Sequence, residues 1–226
     1  MEQIMFLGDY DKTDFLFALA KLLSYEKKVI IVEVSRQNRY QFAYPKVELT
    51  SDIYTYDSFD VWESIVDVEK VQSDLKESEY DYALIDIDDP VSLEKWPKQE
   101  KYYIFSSFEN PVMQNNFKLL RSLMRDNKMD RLLPITKILK ESQANIKEDY
   151  FNQCVDELPI TWNETLYFYP EERDFSEKIN NQFSNVFHLK KLSSGYKNLI
   201  MNLAMQIQNS TMKQIKSQWK HVVRGK

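Results

Sequence analysis

The sequence predicts an α/β domain: a doubly wound, mainly parallel β-sheet flanked by helices. Short apolar, β-branched runs alternate with stretches of helical periodicity, as parallel strands joined by crossover helices require. Residues 28–34 and 82–87 are apolar enough to be buried on both faces of a sheet. The first unit, residues 3–25, runs from an apolar strand through a single glycine into an amphipathic helix. A chain of 226 residues with 43% hydrophobic and 29% charged content can bury one substantial core. Its apolar runs all fall short of the ~18 residues of a membrane span.

The elements follow in order. Residues 3–7 form the first strand, and residues 12–25 a helix whose Phe15, Leu16, Leu19, Leu22 and Leu23 share one face. Residues 28–34 form the second strand. The polar and aromatic stretch 35–60 has extended pieces around 47–56, and a helix is expected over 61–78. Strands at 82–87 and 101–106 follow, then a helix over 110–126 opened by Asn110-Pro111, with proline at the favoured first position. A strand at 132–139, a helix over 145–157, a strand at 165–169 and a helix from Pro170 to about 182 complete the alternation. A last helix runs from Ser194 toward the C-terminus. Residues 1–208 are expected to form the α/β domain and residues 209–226 a basic amphipathic helix or tail.

The first turn carries the most informative chemistry. After the strand come Gly8-Asp9-Tyr10-Asp11-Lys12-Thr13 and then the helix. Strand, loop, Lys-Thr and helix is the order by which nucleotide phosphates are gripped at a helix N-terminus. Such loops are glycine-rich, because bare backbone N–H groups must approach phosphate oxygens. Here Asp9 and Asp11 stand where glycines are expected, and the whole chain has only three glycines. An anion stabilises a helix N-terminus by roughly 0.3–1 kcal/mol when exposed. Asp11 is therefore expected to cap the helix, with Asp14 reaching back in a capping-box-like arrangement. The protein's own carboxylates then fill the place of a phosphate.

Charge is uneven. The chain is net −5, yet from Lys178 onward there are nine basic residues and no Asp or Glu, which points to a basic surface that meets something acidic. In the C-terminal stretch Met212, Ile215, Trp219 and Val222 fall on one helical face beside Lys213, Lys216, Lys220 and Arg224. Two readings stay open: Ile215, Lys216, Trp219 and Lys220 lie on an anionic membrane or a partner, or the stripe packs on the domain and the lysines are solvated. Asp86, Asp88 and Asp89 are either a magnesium site of hard oxygen ligands or an acidic turn at a strand's end. Cys154 is the single cysteine, which fits a reducing compartment and, with two histidines, disfavours a His/Cys metal site or a Cys-His dyad. Met1-Glu2-Gln3 has no basic region before an apolar stretch, so no secretion signal is expected.

The strand, the loop ending in Lys12-Thr13, the helix from Asp14 to Ala20 and the following Lys27-Lys28-Val29-Ile30-Ile31-Val32 resemble the MinD/ParA family of P-loop ATPases. Tyr80-Asp81-Tyr82-Ala83-Leu84-Ile85-Asp86 is similar to the strand ending in that family's second acidic motif, and Ser193-Ser194-Gly195-Tyr196-Lys197 to its closing segment. The TadZ-like, pilus- and secretion-positioning members are similar in outline. The resemblance implies that Gly8, Asp11, Lys12 and Thr13 form a vestigial nucleotide loop, with Lys12 on phosphate, Thr13 on magnesium and Asp86 assisting the metal through water. It departs from the family where the signature lysine falls on Leu7, where two loop glycines fall on Asp9 and Asp11, and where Glu33 and Ser35 follow the second strand.

The departures concentrate on catalysis. The function expected is a pseudo-ATPase: a non-catalytic positioning or assembly factor for a membrane-associated machine such as a pilus, secretion or conjugation apparatus. It would be cytoplasmic, at the inner face of the membrane, with protein partners or an anionic surface and no cofactor. A weak ATPase that binds ATP and Mg2+ and forms a homodimer is the alternative. A nucleic-acid partition-type protein is a third reading, disfavoured by overall acidity and the lack of a helix-turn-helix signal.

Overall fold

The structure, a computed structural model, describes residues 1–46, 51–63, 65, 67–125 and 132–224. One eight-stranded sheet organises them, in the order β3-β4-β2-β5-β1-β6-β7-β8. Its strands are β1 (Glu2–Leu7), β2 (Val29–Glu33), β3 (Ile53–Tyr56), β4 (Phe59–Trp62), β5 (Tyr82–Ile87), β6 (Lys101–Ser106), β7 (Leu133–Lys140) and β8 (Ile160–Phe168). All neighbours pair in parallel except β3 with β4. The doubly wound fold expected from the alternation is therefore present. The helices are α1 (Thr13–Leu23), α2 (Val68–Glu77), α3 (Pro90–Glu94), α4 (Asn110–Arg125), α5 (Glu148–Gln153), α6 (Glu172–Gln182), α7 (Ser194–Gln208) and α8 (Met212–Arg224).

Strand β1 shows why the layers form. Its side chains alternate, so Ile4 and Phe6 enter the cluster beneath α1, α7 and α8, while Met5 and Leu7 enter the one beneath α2, α4 and α5. Helix α1 is wedged so deeply that Phe17, Ala18 and Ala20 are buried along with the predicted apolar face. Phe17 is ringed by Tyr40, Tyr44, Tyr56, Phe59 and Phe187 at centroid distances of 5.4–5.9 Å. These rings form an aromatic core.

Several expected boundaries are corrected. The helix expected over 61–78 begins at Val68, where Asp67 accepts from the Glu69 and Lys70 N–H groups as N-cap. Phe59 and Val61 instead alternate inward along β4, and Asp57 at φ 56° turns the β3–β4 hairpin. Of the extended pieces around 47–56, residues 47–50 lie outside the described residues, as does residue 126 at the end expected for α4. Strand β8 begins five residues earlier than expected, and α5 is shorter. The single last helix is two, because Asn209 adopts the left-handed conformation at φ 49° and closes α7. Helix α8 then folds back: Ile215 and Trp219 are buried in the same core as α1 and α7. Among the described residues no helix is long and apolar enough to cross a membrane.

Candidate functional site

The chain leaves β1 toward β2 on one side and later returns through β6 on the other, with β5 and β6 flanking β1. Such a switch point opens a crevice at the carboxyl ends of the strands, where ligands of open α/β sheets bind. Gly8 to Thr13 occupy it.

Gly8 is indispensable to this turn. It sits at φ +121°, and a Cβ there would lie 2.2 Å from the Phe105 carbonyl oxygen of β6. Its N–H donates to Ile87 O at 3.1 Å. Asn116 of α4, fully buried, closes the other side: its Oδ1 accepts from Asp9 N–H at 2.9 Å, and its amide donates to Phe105 O at 2.9 Å. The Asp9 carboxylate accepts from Asn115 Nδ2 at 2.9 Å and from Gln37 Nε2 at 3.0 Å, and Arg39 donates to the Asp9 carbonyl at 2.7 Å.

The Lys12 ammonium turns inward. It donates to Gly8 O at 2.7 Å and pairs with Asp86 Oδ1 at 2.5 Å, with Lys12 1% exposed. Asp86 is the penultimate residue of β5; its other oxygen accepts from Tyr40 Oη at 2.8 Å. Burial pushes the Asp86 carboxyl up from its ordinary value, and Lys12 pulls it back. Glu33, at the end of β2, accepts from Tyr40 N–H at 3.3 Å, and burial lifts it to about 7.

The expected capping box does not form. Lys12 is the N-cap residue of α1, and its side chain makes no capping bond. Asp11 Oδ1 accepts from Thr13 N–H at 3.1 Å, so the carboxylate does reach the first turn, but from one residue further out. Its second oxygen takes Lys178 Nζ at 2.6 Å, an interaction that helps to hold Asp11 down at about 2 against its burial. Asp14 does not reach back; it accepts from Tyr196 Oη at 2.6 Å and lies 3.5 Å from Lys178. Helices α6 and α7 thus supply donors to the two carboxylates, and Asp11 alone accepts from the first turn.

Thr13 Oγ1 is buried without a hydrogen-bond partner, as is Glu33 Oε2. The three aspartates after β5 diverge. Asp86 faces Lys12, Asp88 accepts from Ser35 Oγ at 2.6 Å and Arg36 N–H at 3.1 Å, and Asp89 caps α3. No group of three or more His, Cys, Asp or Glu residues able to hold a metal occurs among the described residues.

A triphosphate with its magnesium does not fit this arrangement. The Asp9 and Thr13 N–H groups are bonded to protein oxygens, the lysine is sequestered, and two carboxylates stand in the loop. Sequence reasoning identified Gly8, Asp11, Lys12, Thr13 and Asp86 as one locality, and the structure places all five there. Sequence reasoning did not place Arg39, Tyr40, Asn116, Lys178 or Tyr196 there; all arrive from distant elements, Tyr196 from the segment likened to the family's closing one. On α8, Ile215 and Trp219 are buried, while Lys216 and Lys220 are exposed.

No protein-family model matches the chain, and no curated protein matches it in sequence. Solved structures do. A ParA family ATPase from Chlorobium tepidum TLS superposes with a TM-score of 0.60 at 19% identity, over 90% of this chain and 98% of that one. The MinC:MinD cell division protein complex of Aquifex aeolicus gives 0.63 at 14% identity, over 93% and 97%. Apo McdA of Cyanthece gives 0.52 at 13% identity, over 97% and 99%. At such identities what is shared is architecture: the chain has the P-loop fold of the MinD/ParA ATPases.

Proposed function

We propose that this chain is a MinD/ParA-fold protein that does not cycle nucleotide, and that it serves as a positioning or assembly factor for a membrane-associated machine such as a pilus, secretion or conjugation apparatus. One observation carries this reading: the lysine that would grip phosphate is buried against Asp86 and Gly8 O. Desolvated and paired, that ammonium is withdrawn from any ligand in the crevice. Asp9 and Asp11, each with protein partners, add negative charge where a polyphosphate would sit. MinD of Aquifex aeolicus occurs in complex with MinC, so a protein partner is the expectation for this fold. The contact surface proposed is the basic outer face of α8 with Lys216 and Lys220, while Ile215 and Trp219 anchor that helix to the domain.

Calorimetric titration with Mg-ATP tests the reading. No heat of binding is expected; micromolar affinity overturns it. The alternative is a weak ATPase that dimerises on ATP, favoured by the orphaned Thr13 Oγ1. Phosphate release that disappears in Lys12→Ala would establish that alternative.

A further inference from the structure

Helix α6 is mounted inside out. A surface helix ordinarily turns its apolar stripe toward the core. Here the buried face is polar: Asp174, Glu177 and Asn181 face inward and bind the returning segment 188–193. Asp174 Oδ1 accepts from Ser193 N–H at 2.6 Å, and Glu177 pairs with Lys191 at 3.4 Å. Asn181 accepts from His188 N–H at 2.8 Å and donates to His188 O at 3.2 Å. These contacts fix the rotation of the helix, since any other rotation breaks all of them. The outward face is left with Phe175, Ile179 and Phe183 at four-residue spacing, 58%, 42% and 82% exposed, and Val186 just beyond is 47% exposed. A fully exposed aromatic side chain offers roughly 150–250 Å2, so the four present about 400 Å2 of apolar surface. Apolar patches of that size on a monomer are often functional.

We propose that this face binds a second copy of this chain, with α6 lying antiparallel on its counterpart about a two-fold axis at Ile179. The stripe is symmetric about that residue, so the axis sets Phe175 against Phe183 of the partner subunit, as a self-complementary interface requires. Charge selects the antiparallel direction. Glu171 and Glu172 are exposed at the start of α6, and parallel packing would bring both pairs of carboxylates together. Antiparallel packing keeps them about 16 Å apart, the length of the 11-residue helix, and opposes the two helix dipoles. Ser176, Asn180 and Gln182 flank the stripe and are uncharged, so the seam suits its own copy better than a strongly charged partner. Interfaces are about 56–65% apolar, so about 400 Å2 of apolar surface implies about 700 Å2 on each partner. The total, about 1,400 Å2, lies within the range of specific interfaces. This association uses neither the Lys12–Asp86 pair nor the outer face of α8, and it needs no nucleotide.

The test is analytical ultracentrifugation of the full chain without nucleotide, from micromolar to several hundred micromolar. A reversible monomer–dimer equilibrium with a micromolar dissociation constant is expected. Ile179→Glu and Ile179→Lys should each weaken it at least roughly a hundredfold, because like charges then face each other across the axis. Their melting temperatures should match the wild type, since the side chain is exposed. An equimolar mixture of the two variants should regain the dimer, with opposite charges now meeting. Phe183→Ser should also dissociate it, and this variant keeps the test open if the charged ones misfold. Monomer at every concentration overturns the proposal, and so does a mixture that stays monomeric. A dimer that survives Ile179→Glu and Phe183→Ser overturns it too. A dimer that forms only with Mg-ATP overturns both this proposal and the nucleotide-free function above; the other failures leave that function standing.

Discussion

Replacing Lys12 by methionine keeps the length of the side chain and removes its charge, so the change isolates one buried ion pair. Lys12 is 1% exposed and the Asp86 side chain 2%, and the two meet at 2.5 Å. An exposed pair of this kind is worth about 0–1 kcal/mol. Stripping one partner from a buried pair costs about 3–5 kcal/mol, because the survivor is left desolvated and uncompensated. Tyr40 Oη is the hydrogen bond that Asp86 retains, and the Gly8 carbonyl loses its lysine donor. Lys12→Met should therefore lose about 3–5 kcal/mol, or roughly 6–20 °C in Tm for a chain of this size. Asp86 can escape by taking up a proton. Its carboxyl is already raised by burial and loses the lysine that lowers it. The folded variant then holds a proton that the unfolded chain releases, so its stability falls as pH rises, and the loss is greatest on the alkaline side. The double variant Lys12→Met/Asp86→Asn should recover most of the loss, since no buried charge remains. Urea unfolding at several pH values measures this, with an unchanged m-value as the control for intact structure. A loss below about 1 kcal/mol that does not vary with pH would refute the reasoning, since it would place the lysine in water and available to phosphate.

Other expectations follow from the same crevice and from α8. Burial holds Glu33 at about 7 against an ordinary 4.5, so the folded chain keeps a proton that the unfolded chain has lost. That contribution is full below pH 4.5 and declines by about 3 kcal/mol as pH rises through 7; Glu33→Gln should flatten the decline in urea midpoints, and an unchanged slope counts against it. Gly8→Ala drives a Cβ into the Phe105 carbonyl at 2.2 Å, so it should cost more than the roughly 1–3 kcal/mol of backbone strain alone; a Tm within a degree of wild type would mean that the turn is otherwise built. Trp219→Ala should lose about 3–5 kcal/mol of stability, as for a core aromatic. Lys216→Ala/Lys220→Ala should leave Tm unchanged and weaken pelleting with anionic liposomes; pelleting equal to wild type would remove the membrane surface as a partner.

The limits of reading this chain lie in where its side chains find partners. Strands β5 and β6 were legible to the residue because both faces are buried and their sequences are mostly apolar and aromatic. Strand β4 was not. Its Phe59, Val61 and Trp62 also suit a helix start, and only pairing with β2 and β3 decides between the two. The locality of Gly8, Lys12, Thr13 and Asp86 was legible because a strand–turn–helix unit places its own loop, and parallel pairing of β1 with β5 puts Asp86 opposite Phe6. What holds that loop shut was not legible. Asn116 comes from 107 residues beyond Asp9, Lys178 from 167 beyond Asp11, and Tyr196 from 182 beyond Asp14. No spacing rule reaches across such distances. The carboxylates were read correctly as anions near a helix start, yet the charge that neutralises Asp11 belongs to α6 rather than to the helix dipole. The same holds for α8, where period and charge define an amphipathic helix equally well on a membrane or on its own domain. The groove between α1 and α7 decides that question by enclosing Ile215 and Trp219. What faces outward is then a row of lysines without its apolar companions, so any acidic partner of the surface proposed above would be held there by charge.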